Sequence, residues 1–521
     1  MDIVAGEALT PVNVATVVSQ LAKRGRAGRG PRRSDARWRD IKASVEACAP
    51  RFEARHVAST LHGYGCLVKS SCVLLADVPV HALSDGVVRT DAFLNGQAVA
   101  NVAWAFKALE GGVPTRALRV LSDAVRREAP KMGAQAVANT LYAFADMRGV
   151  GADAFDALDA AARREAKRMT PQQVANALHG FAAPGAAPRR ARAALLAAAA
   201  AEAPRMTSQG LTNTVQALGD CFPGARATDG DVDDAFYALE RALPRVFEGL
   251  TGGGLASLMR GWARCGAPPG RGAVACADSA IVREAHRCNA LCVSSILRSY
   301  AALALLPSRR AAGELEARVP ECCFVHSEAA DALHAYATLG LRPKTRAVEF
   351  LLAKLAAPAL PAGRVARALW ACAVLGLEAP TELVDAANGI HDVAPADVRL
   401  FRAYGAAEVA RGKMSRLVPG LLGDFDAAEP APPSLGAACA ALGRGRGADG
   451  VVAGRGLAVF VDGPAHFARN DERARLGRSV LRNALLEARG LAVVSIREAE
   501  WEACDDQVAL LKARMEEAAV E

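Results

Sequence analysis

The sequence predicts a mainly α protein. Residues 1–422 read as a right-handed α-solenoid of helix–turn–helix repeats about 37–38 residues long, and a small α/β domain follows from residue 456. Three observations carry this. One ten-residue phrase recurs at fixed spacing. A second set of residues recurs at the same spacing about thirty positions further on. The last segment exchanges helical periodicity for two continuous apolar runs on either side of a helix.

The phrase reads QAVANVAWAF from Gln97, QAVANTLYAF from Gln135, QQVANALHGF from Gln172 and QGLTNTVQAL from Gln209. These are the clearest repeats, residues 93–221. Within Gly133–Met169, Val137, Leu141 and Phe144 form one apolar helical stripe. Thr170 and Pro171 are suited to cap and open the next copy. Met147, Arg148 and Gly149 break the first helix, and a second, Ala-rich helix is expected over residues 153–167. A helix pair of this kind cannot bury its own face, so neighbours must stack.

Each copy carries Gln and Asn at i and i+4 on one helical face: Gln97 and Asn101, Gln135 and Asn139, Gln172 and Asn176, Gln209 and Asn213. Stacking would align them into a ladder. The amides either hydrogen-bond between adjacent helices or read base edges, as in repeat proteins that take one base per repeat. A position this invariant argues for structure, which leaves the base readers among its neighbours. The second helices add Glu128, Glu165 and Glu202, and the basic residues Lys131, Arg168 and Arg205. Those cations either answer a helix C-terminus or form a column suited to phosphates.

Val12–Leu21 and the segment from His56 resemble earlier copies. Between them residues 23–42 read as a basic, flexible loop: a solvated insertion or an electrostatic arm for nucleic acid. Weaker copies begin at Gly254, Val293, Ala329, Arg364 and Asp397, with Gly224–Gly230 as a longer loop within one unit. About ten or eleven repeats result. Residues 423–455 are Pro- and Gly-rich without period, and read as a linker.

Hydrophobic residues make up 52% of the chain and charged residues 23%, which excludes a disordered protein. The net charge of +8 permits a polyanionic partner. Thirteen cysteines without regular pairing point to a reducing compartment. His286 with Cys288 and Cys292, and His326 with Cys322 and Cys323, lack the paired spacing of a structural zinc site, so no metal or other cofactor is expected. Gly252–Gly254 lacks the Lys-Ser/Thr of a phosphate loop. No transit peptide or membrane span is evident.

In the last segment Leu457–Val461 and Leu491–Ile496 read as buried strands. Asp462–Pro464 reads as a turn, Glu472–Arg489 as an amphipathic helix and Glu498–Glu516 as a further helix. VFVDGPAHF from Val459, then Gly477, Leu481-Arg482, Leu485-Leu486, Gly490, VVSI and Glu500-Trp501, resemble a RAP domain. The repeats resemble octotricopeptide repeats and those of FAST-kinase-like proteins. The resemblance implies a restriction-endonuclease-like fold and an RNA-binding protein of mitochondrion or chloroplast. Its partners would be single-stranded organellar RNA and other RNA-processing proteins, in transcript processing, stability, splicing or translation. Phe460 stands where the family often has Glu, and Arg482 where it usually has Lys. Leu491–Ile496 supplies neither a second acid nor a lysine for PD-(D/E)XK-type cleavage.

Asp462 and His466 either cap and pack against a turn, line a phosphate or RNA-end pocket with Arg482 opposite, or act in catalysis. The expected function is occupancy of single-stranded RNA along a basic concave face. The rivals are a HEAT- or armadillo-like protein scaffold, and a ribonuclease acting through Asp462.

Overall fold

The first helices of the repeats start where side chains take up free N–H groups. Thr10 accepts from Asn13 N at 3.2 Å, Asn95 from Ala98 N at 2.9 Å, Thr207 from Gly210 N at 3.1 Å and Asn289 from Cys292 N at 2.9 Å. Thr170 and Gln173 cap one another reciprocally. The computed structural model describes residues 10–109, 112–145, 147, 149–182, 187–356, 360–390, 394–410, 451–452, 457–487 and 491–518. These fall into two compact units, Met1–Gly249 with Arg264–Ala267, and Leu250–Ala263 with Pro268–Glu521.

In the first unit the first helices are α1 (Pro11–Arg26), α3 (Ala54–Lys69), α5 (Gly96–Ala108), α7 (Ala134–Phe144), α9 (Pro171–Phe181) and α11 (Ser208–Cys221). The second helices are α2 (Arg37–Cys48), α4 (Val80–Arg89), α6 (Thr115–Glu128), α8 (Ala152–Glu165), α10 (Arg192–Glu202) and α12 (Gly230–Val246). Each first helix packs on the next, and α4 through α12 pack in a parallel second row. Small residues set the spacing of the first row. A Cβ on Gly63 of α3 would lie 2.8 Å from Val18 Cγ1 of α1, and one on Gly180 of α9 would overlap the backbone of Leu141 in α7. Ala105, Ala143 and Ala217 hold the same register and are buried, so large side chains are excluded there.

A second recurrent device staples the repeats. Arg89 donates to the Ala49 and Phe52 carbonyls at 2.8 and 2.9 Å, and Arg127 to that of Asp91 at 2.7 Å. Arg164 reaches the Met132 carbonyl at 2.6 Å. Each arginine bonds carbonyls of the 3-10 turn, or of the residue just after it, that ends the preceding repeat, adding to the bonds that Ala49 and Asp91 already accept from Phe52 and Leu94 N–H groups there. Asp159, buried on α8, accepts the N–H groups of Arg189, Arg190 and Ala191 at 3.1, 2.7 and 2.9 Å and fixes the entry to α10. At the unit's end Arg226 is buried between Asp233 and Glu240.

The second unit continues the pattern. Its first helices are α13 (Gly252–Cys265), α15 (Ala290–Leu303), α17 (His326–Thr338), α19 (Ala362–Leu375) and α21 (Pro395–Ala410), of which α15 through α21 pack consecutively. Its second helices are α14 (Arg271–Glu284), α16 (Arg309–Arg318), α18 (Thr345–Leu355) and α20 (Thr381–Asn388). Arg283 and Arg318 repeat the staple, on the carbonyls of Leu250 and Cys288 at 2.8 and 2.9 Å.

The C-terminal domain lies within this second unit. Strands β1 (Val451–Val452), β2 (Leu457–Asp462) and β5 (Ala492–Arg497) form a sheet in the order β1-β2-β5, with β2 and β5 parallel and Val459 opposite Val494. The parallel pair requires a crossover. It contains a hairpin of β3 (Phe467–Ala468) and β4 (Asp471–Arg475), then α22 (Gly477–Glu487). After β5 come α23 (Glu498–Glu502) and α24 (Gln507–Ala518). Val459, Val494, Ile496, Trp501, Leu511 and Met515 form the core.

Several expectations are corrected. Residues 23–42 are not one flexible loop. Lys23, Arg24 and Arg26 belong to the last turn of α1, where cations suit the helix dipole, and α2 begins at Arg37. Trp38 is buried and donates to the Arg32 carbonyl at 3.2 Å, and a Cβ on Gly30 would lie 2.6 Å from Cys72 Sγ. Gly25 and Gly30 serve close packing, and Gly28 takes a left-handed turn at φ +69°. The helix expected over Glu472–Arg489 opens instead as β4, because residues 471–475 pair back onto β3. The helix expected over Glu498–Glu516 is two, divided where Asp506 caps the second through Ala509 N at 2.9 Å. The second helix of the second clear repeat ends as a 3-10 turn over Ala166–Arg168. The expected linker lies outside the described residues apart from β1.

Candidate nucleic-acid interface

The consecutive first helices of the first unit present one polar stripe. Gln97, Gln135, Gln172, Gln209 and Asn213 are exposed, and Asn101, Asn139 and Asn176 are half-buried. None of these eight side-chain amides has a hydrogen-bond partner among the described residues. An amide that served to tie adjacent helices would be paired, since a buried or half-buried amide left single costs stability. Each one instead offers two donors and an acceptor outward from a fixed helical register.

At the edge of the same row stand the cations. Lys131, Arg168 and Arg205 occupy the turns that lead into α7, α9 and α11, and their side chains are 74%, 77% and 76% exposed. Each is tethered at its root to the glutamate three residues earlier, Glu128, Glu165 or Glu202, at 3.6, 3.6 and 3.2 Å. The glutamates are largely buried and, on α6 and α8, also paired to the adjacent Arg127 and Arg164 at 3.4 and 2.9 Å. One exposed cation per repeat therefore sits beside the N-terminus of a first helix, where the partial charge of the helix is also positive.

In the second unit the asparagine register holds Ser257, Ser295, Asp331 and Arg367. Asp331 is paired to Arg298 at 3.1 Å and Arg364 at 3.5 Å.

The C-terminal domain places a second cluster at the end of β2. Strand alternation turns Val459 to the apolar core and Phe460 and Asp462 toward α22. Asp462, 1% exposed, accepts Arg482 Nη2 at 2.8 Å, and Arg475 Nε lies 3.7 Å from its other oxygen. The Arg482 guanidinium lies over the Phe460 ring, 3.7 Å from its centre, and also donates to Asn483. His466 Nδ1 is 2.8 Å from Ser479 Oγ and 3.7 Å from Asp462. Two guanidinium groups and an imidazole thus surround one carboxylate. Glu498, just past β5, brings its carboxylate within 3.0 Å of where a Cβ on Gly463 would sit, an acid that inspection of Leu491–Ile496 alone passed over. Among the described residues no group of three or more His, Cys, Asp or Glu side chains is arranged to hold a metal ion.

This domain is seated on the repeats of its own unit. The hairpin tip clips to the loop after α15: Asn470 Oδ1 accepts Leu306 N at 2.8 Å, Asn470 Nδ2 donates to the Leu306 carbonyl at 2.7 Å, and Arg469 N donates to the Ala304 carbonyl at 2.7 Å. Helix α22 packs on α17, α19 and α21.

Burial pushes the thiols of Cys66, Cys221, Cys265 and Cys288 up, to about 12 for Cys221 and Cys288 and about 11 for Cys265. These are inert core groups. Among the described residues no helix is long and apolar enough to cross a membrane.

No curated protein matches the chain. Residues 459–513 match the model of the RAP domain, a general RNA-binding family, and the matched segment runs from within β2 to within α24, with β1 before it. The chain is therefore a helical-repeat protein that carries a RAP domain at residues 459–513.

Proposed function

We propose that this chain binds single-stranded RNA in an organelle, mitochondrion or chloroplast, and acts by occupancy in transcript processing, stability, splicing or translation. The observation that carries the reading is the column of unpartnered amides on consecutive first helices of the first unit. Amides with free donors and acceptors suit the edges of unpaired bases, and a cation per repeat beside them suits the backbone. The RAP domain adds an RNA-binding family to the same chain. The organelle follows from the resemblance of the repeats to octotricopeptide and FAST-kinase-like repeats. A protein scaffold would have little use for unpaired amides aligned in this way. Occupancy needs no reacting group, and Asp462 in the RAP domain is engaged by Arg482.

The test is binding of the purified chain to a random single-stranded RNA pool across a salt series, with recovered strands sequenced. The reading expects binding that weakens steeply with salt and an enriched sequence. No binding at low salt would sink it.

A further inference from the structure

One turn beyond the asparagine on α5, α7, α9 and α11, and beyond Ser59 in the same register of α3, lies a position that changes from repeat to repeat. In the first unit it is His62, Trp104, Tyr142, His179 and Gln216. The three-residue step keeps each of these on the face that carries the amide, and all five are half-buried. The rings meet across neighbouring helices: His62 and Trp104 have centroids 4.9 Å apart, and Tyr142 and His179 5.2 Å. Lys69 Nζ lies 5.0 Å from the Trp104 ring and Lys107 Nζ 3.7 Å from that of Tyr142. The second unit repeats the arrangement independently, with His334 and Trp370 at 5.2 Å.

We propose that this column is the base platform of the interface: nucleobases of a single strand lie flat on the outward surface of the ring pairs, while the neighbouring amides take their edges. The proposal rests on the RNA reading above. Unpaired bases stack on aromatic side chains whatever their identity, and further selectivity comes from the groups around the ring. A centroid separation near 5 Å leaves no slot for a base between two rings, because stacked planes need about 3.5 Å on each side. The base therefore lies across a pair. Lys69 is exposed and puts positive charge over the Trp104 ring, where a stacked nucleotide brings its phosphate, whereas Lys107 is buried, donates to the Tyr142 carbonyl at 2.9 Å and holds the Tyr142 ring in place. Burial and, after it, the nearby Arg26 charge hold the His62 pKa below its usual value, so the ring is neutral at pH 7. Variation down the column is what base-by-base readout requires and what the invariant amides lack.

The experiment uses the full chain with two probes: a mixed-sequence single-stranded RNA, and an abasic strand of equal length. Trp38, Trp262 and Trp501 are buried and Trp370 belongs to the second unit's ring pair, so fluorescence is read in a Trp370→Phe background, where quenching by RNA reports on Trp104. Trp104→Leu and Tyr142→Leu keep apolar volume and remove the ring. Each is expected to weaken binding of the base-bearing strand about 5- to 100-fold and to leave binding of the abasic strand unchanged. Trp104→Phe, which keeps a ring, is expected to retain affinity while abolishing the quench; it decides the matter if a leucine variant does not fold. Folded leucine variants that bind the RNA like the wild type would overturn the proposal, as would a quench that persists in Trp104→Phe. A wild-type chain that binds neither strand would remove the RNA reading itself, and this inference with it.

Discussion

Gly477, the first residue of α22, lies so close to the Ala337 carbonyl of α17 that a Cβ would overlap the oxygen. Gly340, at φ +67°, makes the matching approach: a Cβ there would be 2.7 Å from the Arg475 carbonyl. At these two points the RAP domain packs backbone to backbone on the repeats of its unit. Gly477→Ala should force α22 away from α17 and α19 and cost at least about 2 kcal/mol. Chemical denaturation measures the loss, and hydrogen exchange should show it concentrated in α22 and the 467–475 hairpin. A variant as stable as the wild type would show that this seating contributes nothing.

The two kinds of arginine at the ends of the second helices should separate cleanly. Arg164 bonds the Met132 carbonyl and the buried Glu165, so Arg164→Ala should lower stability by about 1–3 kcal/mol. Arg168 is 77% exposed, so Arg168→Ala should change stability by less than about 0.5 kcal/mol. Neutralising Lys131, Arg168 and Arg205 together should reduce the slope of log K against log salt for single-stranded RNA by about 2. Thermal melts alongside a salt titration check both halves.

Asp462 and Arg482 are buried against one another in the RAP domain. Asp462→Ala would strand a guanidinium and should cost about 3–5 kcal/mol, while the paired change Asp462→Leu with Arg482→Met should recover most of that loss. Urea unfolding of the three proteins tests it. A harmless Asp462→Ala would mean that the pair holds nothing in place.

His334 provides a pH dependence. Burial first, and then the Arg367 charge, lower its pKa from 6.5 to about 4, against a smaller opposing effect of Asp331. Between those values the unfolded chain binds a proton that the folded chain refuses. The stabilisation is therefore complete above about pH 6.5 and is lost as pH falls toward 4, by roughly 3 kcal/mol in all. Unfolding of the wild type should weaken from pH 7 to pH 5 more steeply than that of His334→Gln. Parallel pH profiles would contradict the assignment.

The helical repeat was legible because its signals are local and repeated. The phrase from Gln97 carries its own apolar stripe, and the fixed spacing supplies the stacking. The arginine staples are not legible in the sequence, because Arg89, Arg127 and Arg164 look like solvated charge until the carbonyls they bond, some 30–40 residues away, are in place. The hairpin at residues 467–475 was hidden by charge: Asp471, Glu472, Arg473 and Arg475 read as a helix face, and only pairing with Phe467-Ala468 makes the segment a strand. At the candidate site the amides were legible as a ladder, but their lack of partners was not. The ring column was visible in principle. Trp104, Tyr142, His179 and Gln216 occupy one register of the quoted phrase, and the feature that marked them was that they differ.

The central claim is that the amide column of the first unit holds RNA. The most direct measurement is the affinity of the fourfold variant Asn101→Ala, Asn139→Ala, Asn176→Ala, Asn213→Ala for single-stranded RNA, beside its melting temperature. Because these amides have no partner among the described residues, the variant should melt within a few degrees of the wild type. It should bind RNA at least about tenfold more weakly, with the salt slope unchanged. An equally tight complex, or a variant that fails to fold, would contradict the claim and return the amides to the structure of the repeat.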